Sequence, residues 1–129
     1  MKHLRRKVLA AIISSLLFAI IFSFIGGFDR NGFYNLLYLN MTIALTYGII
    51  GSFLSDWLCK KFSEKESIQQ ITTFLLHCGF GVLFQFLGLC SAILFYLIDR
   101  ALKKYNIGWL PVTITFAVAV GCFTYLLMQ

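Results

Sequence analysis

Four uncharged apolar runs, residues 8–28, 36–55, 71–98 and 110–128, take up most of this 129-residue chain, and short polar or charged links join them. Each run is close to or above the roughly 20 residues that a helix needs to cross a bilayer core about 30 Å thick. Runs this long and apolar read as membrane-spanning helices. The predicted fold class is therefore all-α, an integral membrane four-helix bundle, multi-pass, forming one domain over residues 1–129. Composition agrees, with 60% hydrophobic and only 12% charged residues, against roughly 25% charged in a soluble domain.

The net charge of +6 does not point to nucleic acid, because the basic residues stand in short blocks beside apolar runs. Lipid headgroups and topology account for such blocks. The expected partner is the lipid bilayer. Lys2, Arg5, Arg6 and Lys7 precede the first run directly, as in a signal peptide, but the run exceeds the usual 7 to 15 residues of that class. Gly26-Gly27 is also a poor cleavage site, so the segment is expected to stay as an anchor. The four cysteines, Cys59, Cys78, Cys90 and Cys122, lack disulfide-framework or metal-ligand spacing. No metal or cofactor is expected.

Helix contacts are predicted from small and polar side chains. In the first run Ala11, Ser15, Ala19, Ser23 and Gly27 recur every fourth residue, and ridges of this kind let backbones approach closely. In the second, Asn40, Ala44, Gly48, Gly51 and Ser55 share a narrow arc. In the third, His77, Gly81, Gln85, Gly88 and Ala92 fall within about 80° of one another on a helical projection. Thr113, Ala117 and Gly121 give the fourth a small ridge. Polar side chains in lipid are expensive unless they turn inward, so Asn40, Gln85 and His77 are expected to form interhelical hydrogen bonds. Small residues on every helix also predict self-association or docking onto a larger membrane protein.

The links carry the turn and topology signals. Asp29-Arg30-Asn31-Gly32 joins the first two runs through an Asn-Gly pair that tolerates positive φ. Residues 56–70 form the most mixed-charge stretch, and Ser67-x-x-Gln70 has the spacing of a capping box. The third run, 28 residues, would make one helix about 42 Å long; it must tilt, protrude or break, and one long span is the expected form. Asp99 to Lys104 repeats the D-x-x-x-K-K spacing of Asp56 to Lys61.

With the N-terminus inside, four spans collect seven Lys and Arg residues on the cytoplasmic side and four outside, so both termini are expected to be cytoplasmic. The basic link after the third run conflicts with that arrangement. A re-entrant third segment would place Lys103 inside, and insertion in both orientations would also relieve the conflict.

No nucleophile with a base, paired carboxylates or metal cluster stands at membrane depth, so no enzyme activity is expected. The chain resembles the small multidrug-resistance exporters in length only, since their first-helix glutamate has no counterpart in residues 8–28. Tyr47-Gly48 followed by Ser55-Asp56, and Ile98-Asp99-Arg100 after the third run, resemble the pattern of an uncharacterised family of small four-span cell-membrane proteins from Gram-positive, Bacillus-type bacteria. That resemblance implies location and layout but no activity. The expected role is structural, interaction or accessory within the membrane. The alternative is a small solute transporter or channel using Asn40, Gln85 and His77 as a polar line across the bundle.

Overall fold

The computed structural model describes residues 2–62, 65–82 and 85–128, without the side chains of residues 2, 62, 126 and 127. Helix α1 (Lys2–Ile25) is followed by α2 (Arg30–Ile43), which passes through a π-helical turn (Ala44–Gly48) directly into α3 (Ile49–Phe62). Helices α4 (Glu66–Val82), α5 (Gln85–Leu102) and α6 (Trp109–Leu127) complete the chain. Among the described residues all regular structure is helical. His3–Ile25, Arg30–Lys61 and Gln85–Leu102 are long and apolar enough to cross a membrane, and Trp109–Tyr125 is a shorter apolar helix.

The first turn forms for local reasons. Gly27 takes φ +75, a left-handed conformation that glycine adopts without penalty, and it stops α1. Asp29 then caps α2 by accepting from the Gly32 amide at 2.8 Å. Gly27, expected on the packing ridge, is exposed and serves this turn instead.

Helix α1 is the centre of the bundle, in contact with α2, α5 and α6. Its small residues Ala10, Ala11, Ser14, Ser15 and Ala19 are fully buried, so neighbouring backbones come close without large side chains between them. Their hydroxyls are satisfied locally, with Ser14 and Ser15 both donating to the Ala11 carbonyl. The exposed threonines of the other helices do the same: Thr42, Thr115 and Thr124 each donate to the carbonyl four residues earlier. This back-bonding removes a polar group from the helix surface.

The largest departure from expectation lies in residues 71–98. A single helix would separate Phe74 from Tyr96 by about 33 Å, yet their ring centroids are 5.2 Å apart. Tyr96 Oη also donates to the Gln70 carbonyl at 3.2 Å. Helices α4 and α5 are thus the two arms of an antiparallel hairpin; its connection, Leu83-Phe84, lies outside the described residues. Gly81, Gly88 and Ala92, expected to share one face against the bundle, pack against each other across the hairpin. A Cβ on Gly81 would sit 2.8 Å from the Ala92 Cβ and 2.9 Å from the Gly88 carbonyl oxygen.

The hairpin returns the chain to the end from which α1 starts. Helix α6 then runs parallel to α1, with Trp109 beneath the Arg5 guanidinium, 4.9 Å from the ring centroid. At the other end Phe123 meets Tyr34 edge-on at 5.5 Å. Helices α1 and α6 therefore end at the same end of the bundle, and among the described residues five helices stand where four were expected when α2, the π turn and α3 are counted as one. Helix α6 packs through Val112 and Ala119, whereas Ala117 and Gly121 face outward. That helix is apolar all round, so nothing in its pattern marks an inner face.

The polarity of the bundle is inverted. Lys7, Ser52, Ser55, Asn40 and His77 are buried, while Phe24, Ile25, Ile50, Phe86 and Leu110 are each more than 60% exposed. A water-soluble domain rarely exposes so much contiguous apolar surface.

Candidate functional site

Helix α2 and the α4–α5 hairpin do not close against each other along their whole length, and the gap forms a cavity of about 400 Å³. Phe18 of α1 reaches it from behind, the π turn supplies Tyr47 and Gly48, and Phe80, Leu87 and Phe95 come from the hairpin. Gly48, Gly51, Gly81 and Gly88 stand in its wall, and at Gly48 a Cβ would meet nothing nearer than 3.7 Å. Leu39, Tyr47 and Leu87 on its border are exposed, so the cavity opens on the flank of the bundle. A π turn in an otherwise regular helix commonly accompanies a functional site. Among the described residues no Asp, Glu, Lys or Arg lines the cavity; its polar side chains include Asn40, His77 and Ser91.

The orientation of Asn40 follows from its partners. Ser15 Oγ donates its only proton to the Ala11 carbonyl at 2.7 Å, so towards Asn40 it can only accept. Asn40 Nδ2 supplies that donor at 3.2 Å, leaving Oδ1 as the amide's free acceptor. This is the interhelical bond expected of Asn40, joining α2 to α1.

His77 behaves differently. Its Nδ1 donates to the Thr73 carbonyl of its own helix at 3.0 Å, and a carbonyl can only accept, so the proton resides on Nδ1. The ring stacks on Phe95 at 5.8 Å, and Nε2 is buried with no partner among the described residues. The expected cross-helix bond is absent; packing holds the imidazole. Gln85 is exposed, begins α5 at φ 62 and does not line the cavity. Asn40 and His77 therefore meet at one cavity, and the three residues do not form a line across the bundle.

Of the small residues expected to pack, Ala11, Ser15, Ala19 and Ser23 are buried on α1, as are Ala44, Gly51 and Ser55 on the second arm and Gly81 in the hairpin. Gly48, Gly88 and Ala92 are half-buried along the cavity wall.

A second polar centre stands at the basic end, and sequence reasoning missed it. Lys7 has a fully buried side chain; its Nζ lies 2.7 Å from Asp56 and 3.7 Å from Asp99 and donates to Ser52 Oγ. Arg6 forms a two-pronged pair with Asp99, at 2.7 and 3.3 Å. These contacts tie α1 to α3 and α5 together. The repeated D-x-x-x-K-K spacing was the available signal, since it puts one carboxylate at the same register near the end of each arm.

Among the described residues no group of three or more His, Cys, Asp or Glu side chains converges as a metal site would. Cys59, Cys78, Cys90 and Cys122 are free thiols. In the ion cluster both carboxylates are paired with Arg6 or Lys7, and the arrangement holds the helices together. The cavity can bind, through a mostly apolar wall with a few neutral polar groups. Comparison with protein-family models, curated proteins and solved structures gives no match.

Proposed function

We propose that this chain is a multi-pass cell-membrane protein with an accessory, binding role, whose cavity holds a small, largely apolar guest taken from the bilayer. The carrying observation is the flank-opening cavity of about 400 Å³, within the roughly 300–1,000 Å³ range of ligand sites. Membrane placement is supported by the three long apolar helices and by the inverted polarity of the bundle. The resemblance to small Bacillus-type membrane proteins agrees with that placement. A mouth on the side of a membrane bundle faces acyl chains, so a guest enters without crossing water.

The test is saturable photolabelling of the purified protein in nanodiscs with a diazirine-bearing single-chain lipid, followed by peptide mapping. Label is expected on residues 36–51 and 77–92. Gly48→Leu should lower it severalfold, because a Cβ there meets nothing nearer than 3.7 Å and the added side chain fills the gap. Gly121→Leu, on the outer face, should leave it unchanged. Labelling that is non-saturable, or indifferent to Gly48→Leu, would remove the binding role.

A further inference from the structure

The wall of the cavity restricts the chemistry of its guest. Asn40 is 6% exposed and Ser91 is 8% exposed, and both line the space. Asn40 Nδ2 is engaged by Ser15, so Oδ1 is what the amide can offer a guest, and among the described residues it accepts no hydrogen bond. The Ser91 hydroxyl likewise bonds to no described residue. An acceptor left unpaired against a mostly apolar wall is costly, and a donor brought in by the guest relieves it.

We infer that the cavity is a site for an uncharged lipid with a hydroxyl head, its apolar chain against Phe18, Phe80 and Phe95 and its hydroxyl donating to Asn40 Oδ1. Ser91 Oγ is the second partner, since one hydroxyl oxygen can donate to the amide and accept from the serine. A carboxylate or ammonium head does not fit, because no charged side chain among the described residues lines the cavity and an isolated charge there is strongly disfavoured. A head with only ether or ester oxygens brings no donor and so leaves Asn40 Oδ1 unpaired. Single-chain alcohols and diacylglycerols share the required head and differ in chain number.

This inference rests on the binding role proposed above, and competition against photolabelling separates the two. Wild-type protein in nanodiscs is labelled with a diazirine-bearing fatty alcohol, with dodecanol, dodecyl methyl ether or dioctanoylglycerol as competitors. Dodecanol is expected to compete about tenfold better than the ether, the size of effect produced by one unpaired acceptor in an apolar cavity. Stronger competition by dioctanoylglycerol than by dodecanol would assign the site to the two-chain lipid and also supports the inference. Asn40→Leu should bring the alcohol-to-ether ratio near one. Ser91→Ala, which breaks no hydrogen bond among the described residues, should lower the ratio with folding intact.

Equal competition by alcohol and ether in the wild-type protein overturns the hydroxyl-lipid assignment while leaving the binding role standing. A ratio unchanged by Ser91→Ala and by Asn40→Leu overturns it as well. Absence of any saturable labelling removes both.

Discussion

A Cβ at Gly81 would stand 2.8 Å from the Ala92 Cβ, 2.9 Å from the Gly88 carbonyl oxygen and 3.0 Å from the Leu89 Cα. Two of these atoms belong to backbone and cannot swing aside, so α4 and α5 would have to separate. Gly81→Ala is therefore expected to destabilise the protein by about 1–3 kcal/mol, the usual cost of overpacking. Gly121→Ala is the control, with nothing within 4 Å of its Cβ, and should change stability by less than about 0.5 kcal/mol. Thermal unfolding in detergent, followed by circular dichroism, measures both; equal midpoints for the two variants would refute the close-contact role of Gly81. The smallness of residue 81 and its shared arc with Gly88 and Ala92 were readable from the sequence. Their mutual contact was not, because helical spacing tells which side chains share a face but not what that face meets.

The elements are joined most firmly where α1 meets the ends of α3 and α5. Asp99 is 16% exposed and faces both Arg6 and Lys7, whereas Asp56 is 38% exposed and faces Lys7. Lys7 is fully buried and keeps Asp99 at 3.7 Å when Asp56 is lost, whereas losing Asp99 leaves the Arg6 guanidinium without its carboxylate and Lys7 with Asp56 alone. Asp99→Asn is expected to cost about 3–5 kcal/mol and Asp56→Asn clearly less, measured by the same unfolding assay. The reverse order would show that α3, and not the hairpin, depends on the cluster. The sequence marked Asp56 and Asp99 as a repeated register and treated each as support for its own helix end. Their convergence on Lys7 needs the hairpin, and uniform apolarity across residues 71–98 does not distinguish one long helix from two short ones. Gln85 shows the same limit: a polar residue at the centre of an apolar run reads as a buried contact, and here it starts an arm beside the connection.

For the whole molecule, the hairpin changes the distribution of charge between the two ends. Among the described residues, the N-terminal block, Lys60, Lys61, Lys65, Arg100, Lys103 and Lys104 gather at one end, and Arg30 alone of the eleven Lys and Arg residues lies at the other. The conflict raised by the basic link after residue 98 disappears, since that link shares an end with the N-terminal block. The price is that the chain ends on opposite sides, in place of the expected arrangement with both termini inside. We propose that, under the positive-inside rule, the basic end lies in the cytoplasm, where Lys and Arg stand near anionic headgroups, with Asp29 and Arg30 outside. A phosphatase inserted at Asn106 should be inactive and a fluorescent protein there bright, with the opposite pair of results for fusions after Met128. A fluorescent protein placed before Lys2 should match the one at Asn106. Cytoplasmic signals from both Lys2 and Met128 would mean that α6 does not run parallel to α1, and the contacts of Trp109 with Arg5 and of Phe123 with Tyr34 would then have no place in the folded protein.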